Sequence, residues 1–430
     1  MMSDPRKKIL VAITARPSYS RIRTALRALR DQGKVDIACL CSGAALSSPH
    51  GRVVEHIRAD GFSVVAEGET LVPGNEPIRM AETTAHTILF TARHLAENAP
   101  DWVVTIADRY ETLGTAVAAS YLGIPLIHVQ GGEITGNIDE RVRHAVTKLS
   151  DVHLVANFHA AQRLIDMGEH PETIYVTGCP SIDLARASTG IPLADLQQEL
   201  AAQGVEDFPL DGDFVVVLQH ADTTEHAAAY RHMRTTIEAV AAVGLPVLAF
   251  DPNSDAGSVA AGRAVADFAG EFPTVPLWRI NNLEGRLFLR LLQQSRCLVG
   301  NSSVGIRECA YLGTPVVNLG DRQHGRERAR NVLDCGWERE AITQAVRRQI
   351  RQTYGSSDLY GAGFSGERIA EVIARLPPPR TKRYYRDPRG NRDRRSIGPW
   401  DGSAISPLAP GISSCSAPLP PIAGELVHFF

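Results

Sequence analysis

CLVGNSSVGIRE, residues 297–308, runs from an apolar triplet through a glycine and three small polar residues into what reads as a helix. A strand, a tight turn and a helix start in that order form one unit of a parallel α/β fold. Backbone N–H groups left free at such a helix start can hold an anion. Serine is also a favoured N-cap, so Ser303 taken alone needs no ligand to explain it. The surrounding sequence favours the larger reading. Short apolar runs at 214–218, 247–250, 275–278, 297–299 and 315–319 are separated by amphipathic stretches, as parallel βαβ units are. The first half repeats the pattern, with runs at 9–14, 35–40, 64–66, 102–106, 125–129, 152–156 and 174–176 and helical stretches at 19–30, 80–97, 112–121 and 141–149. The expected fold is α/β, two doubly wound Rossmann-like domains over 1–185 and 186–376. Ligands are expected at the strand C-terminal ends, facing the interdomain cleft. From 377 to 430 a PPP, a basic run and a Pro/Ser/Gly-rich stretch predict a disordered tail.

Composition narrows the function. The 430 residues are 44% apolar and 22% charged with a formal net charge of −3, which argues against nucleic acid as a partner and makes any anion site local. No window approaches the roughly 18 apolar residues of a membrane span, and MMSDPRKK followed by ILVAIT is too brief for a secretory signal. Seven scattered cysteines with no CxxC pair suit small buried residues in a reducing cytoplasm and offer no zinc site. There is no GxGxxG after the first strand and no GxxxxGK[ST] anywhere, which weakens the case for a dinucleotide enzyme or an NTPase.

The polar residues that could do chemistry gather just after strands. Arg16 and Ser20 follow the first, and Asp108 and Arg109 follow the fourth. The fifth runs into His128–Val129–Gln130–Gly131–Gly132–Glu133, with Asp139, Glu140, Arg143 and His144 just beyond. Three glycines and three carboxylates thus fall within residues 128–140, a combination suited to moving protons to and from carbon. In the second half His220, Asn253, Ser302 and Arg322 each follow a strand.

These residues lie in blocks that resemble the hydrolysing UDP-N-acetylglucosamine 2-epimerase family, which is similar in fold to the two-domain GT-B glycosyltransferases. The blocks are TARPSYSRI (14–22), ADRYETL (107–113), HVQGGEITGNIDERVRHAVTKLS (128–150), VTGCPSID (176–183), QHADTTEH (219–226), PNSDAG (252–257) and GNSSVGIRECAYLGTPVVNLGDRQHGRERARNV (300–332). The resemblance covers about residues 7–376 and leaves the tail outside. It implies that a base takes the proton from C2 of the sugar while UDP leaves C1, giving a 2-acetamidoglucal. Water then adds to release UDP and free N-acetylmannosamine, for sialic or legionaminic acid synthesis. It further implies a UDP site of Arg16, Ser20, Arg109, His220, Asn253, Ser302, Ser303, Glu308 and Arg322, with Glu308 accepting from the ribose hydroxyls. Asp108, Glu133 and Asp139 become the acid/base candidates, with His128 and His144 behind them. No cofactor or metal is called for, and a homodimer or homotetramer is implied.

Two positions depart from the family pattern. Gln130 stands where the wider group often has a carboxylate, and glutamine cannot exchange a proton. Pro17–Ser18 replaces a common Ala–Asp. The alternatives are a UDP-2,4-diacetamido-2,4,6-trideoxy sugar as substrate, a GT-B glycosyltransferase, and a non-catalytic UDP-sugar-binding protein.

Overall fold

In the computed structural model the described residues are 6–47, 52–74, 76–135, 138–221, 226–252, 257–377 and 382–385. Runs rich in Val, Ile and Leu form the strands because both faces of a parallel sheet are covered by helices and need apolar side chains throughout. The first sheet comprises β1 (Lys7–Ile13), β2 (Val35–Ser42), β3 (Ser63–Gly68), β4 (Trp102–Ile106), β5 (Leu126–Val129), β6 (Val152–Val155) and β7 (Ile174–Val176). The second comprises β8 (Val215–Leu218), β9 (Val247–Phe250), β10 (Leu277–Ile280), β11 (Cys297–Gly300), β12 (Val316–Leu319) and β13 (Val332–Cys335). Their orders are β3-β2-β1-β4-β5-β6-β7 and β10-β9-β8-β11-β12-β13. All pairs are parallel, with Val11 opposite Cys39 and Val104, and Val299 opposite Val217 and Val317. In each sheet the order reverses between its first and fourth strands, β1|β4 and β8|β11. Such a reversal opens a crevice at the strand C-terminal ends.

Alternation along the strands sorts the cores. Ile9, Val11 and Ile13 pack with Leu26, Leu29 and Ile57, while Leu10 joins Leu95, Ala119 and Val146 on the opposite face. In the second sheet Val216, Leu248 and Leu298 face Leu196 and Leu291, and Val215, Val217 and Val299 face Ile237, Val265 and Val346. A buried Leu or Val contributes about 1.5–3 kcal/mol, so these interleaved faces dominate the stability of each unit.

The chain divides into two compact units, 6–180 with 364–377 and 382–385, and 181–363. The division differs from the expected 1–185 and 186–376. Helix Ser365–Arg375 belongs to the first unit because Ile369, Ala370, Val372 and Ile373 complete the apolar cluster of Leu26 and Leu29. Lys7 Nζ donates to the Leu376 carbonyl at 2.5 Å, tying the helix end to β1. Three further expectations are corrected. The helix placed at 19–30 is two, Arg16–Ser20 and Arg23–Gln32, separated where Ile22 leaves helical geometry at φ −125°. β13 was not anticipated, since Asp334 and the preceding arginines make its sequence read as loop. Residues 382–385 of the tail lie packed on the first unit, whereas 378–381 and 386–430 fall outside the described residues.

Candidate functional site

In the second unit residues 297–308 sit at the reversal point between β8 and β11. β11 ends at Gly300, whose φ is 146°, and a Cβ there would lie 1.9 Å from the Leu218 carbonyl oxygen. β11 can therefore approach β8 closely only with glycine at this position. Gly300→Ala is expected to cost at least about 2 kcal/mol. A chemical denaturation midpoint checks this, and an unchanged midpoint would contradict the close approach. Next, Asn301 joins the two strand ends through its side chain: Oδ1 accepts from His220 N at 2.8 Å and Nδ2 donates to His220 O at 2.9 Å. The Asn301 carbonyl in turn accepts from Arg322 Nη1 at 3.3 Å and Gln323 Nε2 at 2.9 Å, bringing in the end of β12. Ser302, rather than Ser303, is the N-cap, its hydroxyl 3.5 Å from Val304 N. The helix is short, Ser303–Ile306, and restarts as Glu308–Leu312 after Arg307.

Three buried oxygens around this turn have no hydrogen-bond partner: Gln219 Oε1, Gln323 Oε1 and Glu308 Oε2. All three are acceptors. Burial and then the nearby Arg322 charge push the His220 imidazole down to about 3, so the ring is neutral at neutral pH. Asn253 lies outside the described residues.

In the first unit two adjacent strand ends are held in left-handed backbone. Ala107 after β4 and Gln130 after β5 both have φ 66°, a strain of about 1–3 kcal/mol for each. Between them stands Arg143, 1% exposed on helix Ile138–Leu149. Its Nε donates to Asp108 Oδ2 at 3.1 Å and its Nη2 reaches the same oxygen, while Nη1 donates to the Glu133 carbonyl at 2.5 Å and Nη2 also to Thr135 Oγ1 at 3.3 Å. One guanidinium thus draws together Asp108 from β4 and the Glu133 loop from β5. Glu133 is 1% exposed, whereas Asp139 lies partly open in the first turn of the same helix, within the field of Arg109. The Glu140 carboxylate accepts from Thr135 N at 2.8 Å and so serves the loop.

Other expected residues are placed as follows. His128, expected among the acid/base residues, faces the interior of the first unit. It is fully buried, Nε2 donates to Ala107 O at 2.8 Å, Nδ1 faces Thr147 Oγ1 at 3.2 Å, and burial pushes it down to about 3. His144 is half-buried and also shifted down by desolvation. Arg109 forks onto Glu111, with bonds of 3.2 and 3.1 Å. Arg16 is exposed, and Ser20 turns its hydroxyl onto the Pro17 carbonyl at 3.1 Å. Gln130 is 2% exposed, with Nε2 2.8 Å from Cys179 Sγ and Oε1 unpartnered. Arg143, Asn301 and Gln323 were missed. Arg143 lies at i+4 from Asp139, and nothing in that spacing told that it turns inward. Among the described residues no group of three or more His, Cys, Asp or Glu side chains could hold a metal ion, and no helix is long and apolar enough to cross a membrane.

Comparison with known proteins identifies a family and a shared fold. The profile of the family described as UDP-N-acetylglucosamine 2-epimerase matches residues 27–374. The chain is 31% identical over 377 residues to the UDP-N,N'-diacetylbacillosamine 2-epimerase (hydrolyzing) of Legionella pneumophila, covering 86% of this chain and 96% of that protein. It is 27% identical over 372 residues to the UDP-N-acetylglucosamine 2-epimerase of Neisseria meningitidis, covering 85% and 95%. A crystal structure of the Neisseria meningitidis UDP-GlcNAc 2-epimerase bound to UDP-GlcNAc shares the fold, with a TM-score of 0.71 at 18% identity over 86% of this chain and all of that one.

Proposed function

The chain belongs to the UDP-N-acetylglucosamine 2-epimerase family, and from that premise we propose that it is a hydrolysing 2-epimerase of a UDP-2-acetamido sugar. The observation that carries the reading is the set of unpartnered buried acceptors, Gln219, Gln323 and Glu308, beside the Asn301 junction. A uridine nucleotide offers donors to match them, two ribose hydroxyls and the uracil N3–H, while His220, Arg322 and the N–H groups after Ser302 serve the diphosphate.

The proposed reaction asks for two sets of groups. In the second unit cations and backbone donors stabilise charge developing on the diphosphate as the C1–O bond breaks and its electron pair leaves with UDP. In the first unit a carboxylate takes the C2 proton, and the C2–H electron pair becomes the C1=C2 double bond of the 2-acetamidoglucal. Addition of water puts a proton on C2 from the opposite face and hydroxide on C1, giving the free epimerised sugar. Asp108, held by Arg143, and Asp139, partly open on the helix, are the two acids best placed for proton transfer, with Glu133 enclosed beside them. Gln130 takes no proton in this scheme.

The sugar has two readings. UDP-N-acetylglucosamine is the parent substrate of the family. Higher identity to the Legionella protein than to the Neisseria one favours the 2,4-diacetamido nucleotide. Incubating the protein with each nucleotide and measuring UDP and free reducing sugar tests both. Equal release of the two products from either supports hydrolytic epimerisation, and an isomerised nucleotide with no UDP overturns it.

Two results are expected of the nucleotide site. Glu308→Gln should weaken UDP binding about ten-fold and leave pyrophosphate binding unchanged, because a charge-assisted bond to ribose is worth about 1.5–3 kcal/mol. Calorimetry with both ligands reads the difference; equal losses would place Glu308 away from the ribose. The second result concerns pH. The His220 ring is neutral above about pH 3, and a diphosphate diester bound beside it raises that value. Below the raised value binding takes up a proton, so affinity for UDP-glucose, whose phosphates do not titrate here, should rise as pH falls towards about 4. His220→Gln should flatten that slope, and a flat wild-type profile would contradict the placement.

A further inference from the structure

The family match ends at residue 374, yet Lys382–Tyr385 are seated on the first unit, and their seat is the far end of the helix that carries Arg143. The Lys382 ammonium donates to the Thr147 carbonyl at 3.2 Å, to the Ser150 carbonyl, and to Glu169 Oε2 at 2.5 Å. It thus takes the place of a C-terminal cap for helix Ile138–Leu149, where a cation also opposes the helix dipole. Glu169 is 2% exposed and gathers Lys148 Nζ at 2.6 Å and His153 Nε2 at 3.1 Å as well. Burial would raise its carboxyl; the bonds from His153, Lys148 and Lys382 outweigh that and hold it at about 2. Beside it Tyr385 N donates to the Gly168 carbonyl at 2.9 Å, and the Tyr385 ring meets His170 edge-on at 4.9 Å. Gly168, at φ 87°, leaves room for the Tyr384 ring, which a Cβ there would meet at 2.2 Å.

The residue that Lys382 grips leads to the chemistry. The Thr147 hydroxyl faces His128 Nδ1, His128 Nε2 donates to the Ala107 carbonyl, and Ala107 is the left-handed residue immediately before Asp108. Four residues back along the same helix, Arg143 holds Asp108 directly. We propose that Lys382–Tyr385 is a clasp from beyond the family-matched residues 27–374, and that Lys382 is a positioning residue that fixes the Ile138–Leu149 helix, and through Arg143 and His128 the Asp108 carboxylate. This rests on the reading of Asp108 as an acid/base group. A small displacement of such a group costs turnover far more than it costs binding, because UDP is held by the other unit.

The test compares full-length wild type, Lys382→Ala and Lys382→Arg. Lys382→Ala should lower kcat about ten-fold or more, leave the UDP dissociation constant unchanged, and speed hydrogen exchange of the amides at 144–150. Lys382→Arg, which keeps the cation and its donors, should recover most of both. Unchanged kcat in Lys382→Ala, or a loss that Lys382→Arg does not recover, overturns the positioning role. If wild type turns over no UDP-2-acetamido sugar, the proposed function falls, and exchange alone decides the clasp: identical rates in wild type and Lys382→Ala overturn it.

Discussion

Asp108→Asn should lower turnover by a factor of about 10²–10⁴, the usual contribution of a positioned proton carrier, while UDP affinity stays as in wild type. Asparagine keeps the shape of the side chain and can still accept from Arg143, but it cannot take a proton. The two measurements separate because Asp108 lies in the first unit and the Asn301 junction in the second. Loss of UDP binding alongside activity would mean that Asp108 holds the fold or the nucleotide. Full activity would remove it from the chemistry, and Asp139→Asn would then be the variant expected to fail.

Arg143→Met should produce the largest loss of stability. Arg143 is 1% exposed, and its partners are a carboxylate, a backbone carbonyl and a hydroxyl. Methionine fills most of the volume but leaves Asp108 without its cation and the Glu133 carbonyl without its donor. Breaking a buried pair from one side costs about 3–5 kcal/mol. That corresponds to a fall of roughly 6–20 °C in the melting transition of the first unit. Adding Asp108→Asn to Arg143→Met should restore part of the loss, because the stranded charge is then gone. Strict additivity of the two changes would show that the pair does not interact.

Much of the fold was legible because parallel strands covered on both faces leave apolar runs that few other structures produce. β4, β7 and β9 have the ends expected from the sequence, and the reversal points follow from the strand order. What escaped depended on direction or distance. β13 is a short edge strand with Asp334 in it, and its pairing with β12 is a tertiary fact. Ile22 interrupts the first helix without a glycine or an internal proline to signal it. His128 and Arg143 show the limit most clearly. Both are polar residues near a strand end, and sequence cannot tell a histidine that points to solvent from one locked between Thr147 and the Ala107 carbonyl. The clasp was hidden because KRYY has the composition of a solvated tail, and only the buried Glu169 reveals why it stays.

The GNSSVGIRE turn likewise became more definite. Asn301, which drew no role from the sequence, joins β8, β11 and the loop after β12, while Ser302 does the capping expected of Ser303. Glu308, read from the sequence as an acceptor for ribose hydroxyls, has a buried Oε2 with no hydrogen-bond partner.

In the proposed reaction the C2–H bond is broken and remade while UDP departs. NMR of the sugar released from a UDP-2-acetamido substrate in D2O tests it most directly. The expected product is free sugar of the inverted C2 configuration carrying one deuterium at C2, formed in step with UDP. Free sugar that keeps its original proton and configuration at C2 would contradict it.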